Sequence, residues 1–282
     1  MKVLATGATG SYAGLFVPAL AARGIKVRAM VHDPSKAGVA RENGAAETVQ
    51  ADLADRASLD AALDGVDGAF LITPAFAPDA AELGLNLVAA AADAGLSKLV
   101  YSGVYHPSLP LENHASTRPV EAAIYASGLD FTIFQPAMYM QAFDATYQQA
   151  LRTGAVVMPW SMHSQMTYVD LRDVADAAAI AFTDSRLSRG TFELAAGGMI
   201  NRVELAVQLS RAAGRTLVAE NMPADALPPD QAQGLKAMFD DYDRHGFHGG
   251  NALALRTILQ RDTRSVTDYI AELGQRDKAG QP

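Results

Sequence analysis

The sequence predicts an α/β protein: a doubly wound parallel sheet with a smaller C-terminal α/β lobe. Three observations carry that reading. Short apolar strand-like runs alternate with Ala- and Leu-rich helical segments through the first half. A glycine-rich turn separates the first strand from the first helix, and the alternation loosens after Pro136. Strands spaced by helices of this length need crossovers, which set the strands parallel and cover both faces of the sheet.

Taken in order, Lys2–Ala5 is an apolar run ending at glycines, and Leu15–Ala22 is a helix closed by Gly24. Lys26–Val31 is β-rich, Ser35–Gly44 helical and Glu47–Gln50 a short strand. Ser58–Leu63 reads as a helix capped by Ser58. Gly68–Ile72 is a fully apolar strand stopped at Thr73–Pro74, and Asp79–Ala94 a long helix ended by Gly95. Lys98–Ser102, a helix over Glu121–Ser127 and the strand Asp130–Phe134 complete the first half. Beyond Pro136, strands are expected at Gly154–Met158, Gln165–Val169, Thr191–Leu194 and Thr216–Glu220. Helices are expected at Asp173–Phe182, Arg202–Ala213, Asp230–Arg244 and Ala252–Arg261, with a Pro-rich break at Pro223–Pro229. The expected domains are residues 1–136 with about 191–195, returning to the main sheet, and a lobe of 137–190 and 196–282.

Composition narrows the function. The 23 Lys+Arg against 31 Asp+Glu give a net charge of −8, which disfavours a nucleic-acid partner. Without cysteine there is no disulfide framework, thiolate nucleophile or Cys-based zinc site. His245-x-x-His248 lies among glycines without a third ligand, so no metal is expected. No signal peptide and no membrane-length apolar run is read, which points to a cytoplasmic protein acting on a small molecule, with neither membrane nor nucleic-acid partner; a homodimer is compatible with this.

The sharpest feature is Gly7-Ala8-Thr9-Gly10-Ser11-Tyr12-Ala13-Gly14, between strand and helix. Gly7 and Gly10 let the backbone turn tightly and approach a pyrophosphate, as in dinucleotide-binding Rossmann domains. This is G-x-x-G-x-x-Ala spacing, not G-x-G-x-x-G.

With Val27–Lys36, Ala51–Asp55, Ser127–Ile133, Gln135–Met140 and Val169–Ala175, the T-G-A-T-G start resembles the NmrA-like branch of the atypical short-chain dehydrogenase/reductases, over roughly residues 1–275. The resemblance implies an NAD(P)H-binding, quinone-reductase-like protein with its cofactor across the carboxyl ends of the strands. Cofactor contacts are expected at Gly7, Thr9, Gly10, Ser11, Tyr12, Ala13, His32, Lys36, Asp52, Leu53, Thr73, Pro74, Ser102, Gly103, Pro136 and Met138. His32 and Lys36 would hold a 2′-phosphate, whereas Asp33 would take a 2′-hydroxyl; the resemblance favours NADP(H) over NAD(H).

The catalytic reading is less regular. None of the nine tyrosines is followed four positions later by lysine, so the Tyr-x-x-x-Lys relay of typical short-chain dehydrogenases is absent. Relatives often carry Lys where this chain has Thr117. Tyr105 is the candidate proton donor, tuned by His106 or His114. Tyr139, Trp160, His163, Met166 and Tyr168 would form an aromatic substrate pocket, or else simply core. The expected activity is hydride transfer to a conjugated or aromatic carbonyl or quinone. A non-catalytic dinucleotide sensor working through a protein partner is the alternative, and a redox-neutral isomerase or cyclase a third reading.

Overall fold

In a computed structural model of the chain, the structure describes residues 1–10, 12–222 and 232–280. They fall into two compact units. The first comprises Met1–Pro136, Leu171–Leu194 and Ile258–Gln260; the second comprises Ala137–Asp170, Ala195–Thr257 and Arg261–Pro282.

The first unit is built on a seven-stranded, all-parallel sheet. Its strands are β1 (Lys2–Ala5), β2 (Lys26–Val31), β3 (Glu47–Gln50), β4 (Gly68–Ile72), β5 (Lys98–Ser102), β6 (Phe131–Pro136) and the strand Gly190–Leu194. In space they run Gly190–Leu194, β6, β5, β4, β1, β2, β3. The chain winds outward from β1 to β3, then returns to β4 on the other side of β1, opening a crevice at the carboxyl ends of β1 and β4.

The inner strands β1, β2, β4, β5 and β6 are largely buried on both faces and read as apolar runs, whereas the edge strands β3 and Gly190–Leu194 keep exposed polar residues. On one face Leu4, Leu71, Leu99, Tyr101 and Ile133 join Leu59, Leu63, Leu87, Val120 and Ile124 in one cluster. Each such side chain contributes roughly 1.5–3 kcal/mol on burial. Elsewhere in this unit Phe16 stacks on Phe70 with ring centroids 4.3 Å apart. Helix Phe16–Ala22 also packs against helix Leu171–Ala181. The latter had been expected, as Asp173–Phe182, in the second lobe. Its almost entirely buried Ala-rich surface fits it to the first unit instead.

Among the other elements that differ from the sequence reading are two helices of the first unit. The third long helix is Arg56–Leu63, and its cap is Asp55, which accepts from the Ala57 N–H, not Ser58. Ser58 Oγ instead donates to the Asp55 carbonyl and accepts from the Asp52 N–H, tying the preceding turn. The helix expected from Glu121 begins at Thr117 and ends at Ala126. Pro119 sits in its first turn, where a missing N–H removes no intrahelical bond.

In the second unit, Ala155–Met158 pairs with Val218–Asn221, and Met138–Tyr139 with Tyr168–Val169, both parallel. Its helices include Ala142–Thr153, Arg202–Ala213, Ala232–His245, Leu253–Leu259 and Val266–Lys278. The first and last of these were not read from the sequence. The Pro223–Pro229 break lies outside the described residues. Among the described residues, no helix is long and apolar enough to cross a membrane.

Candidate active site at the carboxyl edge of the sheet

The glycine loop leaves β1 at the sheet's carboxyl edge. Gly7 adopts φ +67°, open to glycine at little strain. The Gly10 N–H donates to the Gly7 carbonyl and the Gly14 N–H to the Gly10 carbonyl, both at 2.9 Å. Thr6 fixes the base of the loop: its Oγ1 donates to the Ile72 carbonyl (3.0 Å) and accepts from the Ile72 N–H (2.9 Å). A Cβ at Gly14 would stand 3.2 Å from Asn43 Nδ2, so the turn is packed as tightly as its glycines allow. Gly7 and Gly10 are exposed, as is Tyr12, and Thr9 is half-buried; Ala13 opens a 3-10 turn, Ala13–Leu15, and Ser11 lies outside the described residues.

At the ends of β2 and β3 the charged candidates share one surface. His32 Nδ1 lies 3.5 Å from Asp52 Oδ2, both side chains exposed. Asp33 caps the 3-10 turn Pro34–Lys36, accepting from the Ser35 N–H at 2.9 Å. A hydrogen bond with the Ser35 side chain, and after it this backbone bond, holds its carboxyl below the ordinary carboxylate range. Lys36 closes the same turn, exposed. Leu53, expected beside an adenine, is buried within the core cluster. Its carbonyl accepts from Asn86 Nδ2 at 3.0 Å, which fastens the Asp52–Leu53 turn to helix Ala80–Asp93. Thr73 is half-buried after β4, with its Cγ2 close to Gly84, and Pro74 is exposed.

The ends of β5 and β6 are more enclosed. Ser102 is 3% exposed, and its Oγ has no hydrogen-bond partner among the described residues. Leaving a buried hydroxyl unsatisfied costs roughly 1–3 kcal/mol. At Gly103 a Cβ would press on Tyr101 at 3.1 Å and approach Glu121 Oε1 at 3.4 Å. Pro136, at the end of β6, accepts from the Tyr105 N–H at 3.0 Å. Tyr105 itself is buried, which pushes its phenol above the ordinary tyrosine range, with Glu193 adding to the effect. His114 is wholly buried, its Nδ1 donating to the His106 carbonyl at 3.2 Å. Thr117 spends its hydroxyl on the His114 carbonyl at 2.9 Å. The three residues expected to be catalytic are therefore interior groups with local structural bonds.

Sequence reasoning passed over two acids here. Glu121, on the buried face of helix Thr117–Ala126, takes both oxygens to Gln135 Nε2 of β6, at 2.9 and 3.0 Å. Burial raises its pKa above the ordinary range, and the Gln135 bond lowers it only in part. Glu193 accepts from His106 Nδ1 at 2.7 Å. Residues 87 apart in sequence give no local signal of this pairing.

The expected substrate wall belongs to the second unit, and two of its five residues, Met166 and Tyr168, are core. Tyr168 is buried with its ring 4.7 Å from Phe143, and burial pushes its phenol far up. Met166 is buried too, bridging Ile200 and Phe247 through backbone pairs. Trp160 is half-buried against Phe239 and Tyr242, with centroids 6.1 and 5.9 Å away. Met138 and Tyr139 are half-buried on their short strand, and His163 is exposed.

The first unit's residues fit a dinucleotide. An exposed glycine turn with φ > 0 sits at the β1/β4 crevice, and an orphaned buried hydroxyl stands at the end of β5. The chain is 31% identical over 216 residues, 76% of its length and 74% of the relative's, to an NAD(P)H azoreductase of Xenophilus azovorans. It is 30% identical over 282 residues, 96% of the chain and 97% of the relative, to a (4-alkanoyl-5-oxo-2,5-dihydrofuran-3-yl)methyl phosphate reductase of Streptomyces griseus subsp. griseus. Its fold matches the crystal structure of an NADPH-dependent quinone oxidoreductase from Escherichia coli complexed with NADPH. That match has a TM-score of 0.84 at 23% identity and covers 96% of this chain and 99% of that one. The match of residues 1–267 to the family model establishes that the chain belongs to the NmrA-like family.

Proposed function

We propose that the protein is an NAD(P)H-dependent reductase of small conjugated or aromatic acceptors: quinones, enones or azo compounds. The observation that carries it is the glycine turn at the switch point of an all-parallel sheet, in a chain whose relatives include named reductases. Gly7, Thr9, Gly10, Ser11, Tyr12 and Ala13 would hold the pyrophosphate, and Asp52 with Leu53 the adenine. Thr73 and Pro74 would border the ribose, with Ser102, Gly103 and Pro136 at the nicotinamide. Bound there, the reduced nicotinamide supplies a hydride to the acceptor. Ser102 Oγ, buried at the end of β5 with no hydrogen-bond partner among the described residues, would give one to the cofactor.

NADP(H) is the favoured cofactor. Asp33, the residue that would select a 2′-hydroxyl, is engaged in capping its own turn, whereas Lys36 and His32 are exposed beside it. The lysine on that turn suits a 2′-phosphate, since charge-assisted bonds are the stronger kind.

The test is oxidation of NADPH, followed at 340 nm, with a panel of quinones, azo dyes and enones. Turnover with at least one acceptor is expected. Tight cofactor binding without turnover across the panel would instead assign the chain the role of a dinucleotide sensor. The comparison of NADPH with NADH dissociation constants tests the cofactor; NADH binding at least as tightly overturns the preference.

A further inference from the structure

Glu193 stands on strand Gly190–Leu194 in register with Gln135 of β6, next to the strand's carboxyl end. Its Oε1 accepts twice from one residue: from the backbone N–H of His106 at 3.3 Å and from His106 Nδ1 at 2.7 Å. His106 reaches it with φ +52°, a left-handed conformation that residues carrying a Cβ seldom adopt, and does so directly before Pro107. The surrounding structure holds that strained backbone in place. The ring lies against Tyr105, with centroids 4.0 Å apart, and the His106 carbonyl accepts from His114 Nδ1 at 3.2 Å. Glu193, Tyr105 and His114 are thus among the titratable groups facing it. Unlike Tyr105 and His114, both interior, the His106 side chain is 30% exposed. It sits just beyond β5, at the sheet edge where the cofactor-holding crevice opens.

We propose that His106 is the proton donor of the reduction and that Glu193 is its positioning residue; this rests on the reductase reading above. A carboxylate 2.7 Å from Nδ1 requires a hydrogen on that nitrogen, and the proton exchange with substrate is assigned to Nε2. In the step, the acceptor takes a hydride from NAD(P)H and is reduced by two electrons while the cofactor is oxidised. The imidazolium Nε2–H bond breaks and an O–H or N–H bond forms at the acceptor atom that reduction leaves anionic. Neutral imidazole remains with Nδ1–H on Glu193, and water returns the proton to Nε2. The carboxylate fixes the ring plane and carries the compensating charge, as acids do beside other catalytic histidines. This pair supplies the acid that Tyr-x-x-x-Lys supplies elsewhere.

His106→Asn is the informative variant, because asparagine tolerates the left-handed backbone and retains the N–H to Glu193 while losing the ring. With a quinone or azo acceptor, kcat is expected to fall about 10²-fold, with added imidazole restoring part of the rate. KM and the NADPH dissociation constant are expected to stay within about twofold. In the cofactor-free protein, 15N NMR should show His106 protonated at Nδ1 when neutral, and Glu193→Ala should shift its tautomer toward Nε2–H. Wild-type kcat in His106→Asn, or a tautomer indifferent to Glu193→Ala, overturns the assignment. Failure of the wild-type protein to turn over any acceptor overturns the reductase reading instead.

Discussion

The two ends of the sheet's carboxyl edge are built on opposite principles. Around β1, β2 and β3 the candidate groups are backbone and exposed charge: Gly7 at positive φ, Gly10, His32 and Lys36. Around β5, β6 and Gly190–Leu194 they are side chains paired with one another: Glu121 with Gln135 and His106 with Glu193. The first arrangement suits an anion held by N–H groups and surface cations. The second suits chemistry, because a partly desolvated acid or base keeps a fixed orientation and a shifted protonation. Substitutions at one end should therefore act on affinity, and at the other on turnover or pH dependence.

The largest effect is expected at Gly7. A Gly7→Val variant must hold a branched side chain at φ +67°, which alone costs about 1–2 kcal/mol. It also places a Cβ where phosphate would approach. NADPH affinity, measured by calorimetry, should fall by more than about tenfold, since about 1.4 kcal/mol is already a factor of ten. A smaller change would mean the loop does not cradle the cofactor. Next, Lys36→Ala should weaken NADPH binding by about tenfold and leave NADH binding nearly unchanged, because a bond to a charged phosphate is worth roughly 1.5–3 kcal/mol. Equal losses for both cofactors would remove the 2′-phosphate from this turn.

At the other end the effects are smaller but carry a signature. Burial holds the Glu121 carboxyl above the ordinary carboxylate range, so the folded chain keeps that proton to higher pH than the unfolded one. Between those two pKa values the native state binds more protons, so this residue's contribution to stability falls as pH rises through the folded value. Glu121→Gln removes the penalty: its Tm should exceed that of the wild type at pH 8, and the gain should shrink at pH 5. A gain independent of pH would mean that Glu121 is not titrating in this range. The smallest change is expected from Tyr105→Phe. Its phenol is interior and held above the ordinary range, so kcat should change by less than about threefold, whereas loss of a general acid typically costs 10² or more. A hundredfold loss would transfer the donor role from His106 to Tyr105.

Much of the β1–β3 end was legible because its signals are local. Five of the six labelled strands have the bounds read from the sequence, and four of them are runs rich in apolar residues, as inner strands of a parallel sheet must be. The glycine turn announces itself by spacing. The other end was not legible. Tyr105, His114 and Thr117 have the right chemistry for catalysis, but burial and local hydrogen bonds take them inside. In the second unit, Met166 and Tyr168 look equally well like a pocket or a core, and packing makes them core.

The sequence by itself determined the doubly wound sheet, the glycine turn and the missing Tyr-x-x-x-Lys relay, because each rests on periodicity or spacing between near neighbours. Only the tertiary structure decided which polar groups meet. Glu193 reaches His106 because Gly190–Leu194 joins the sheet beside β6, and Glu121 reaches Gln135 because its helix lies over that face. Such pairings depend on strand order and register, which bring together residues that no local pattern connects.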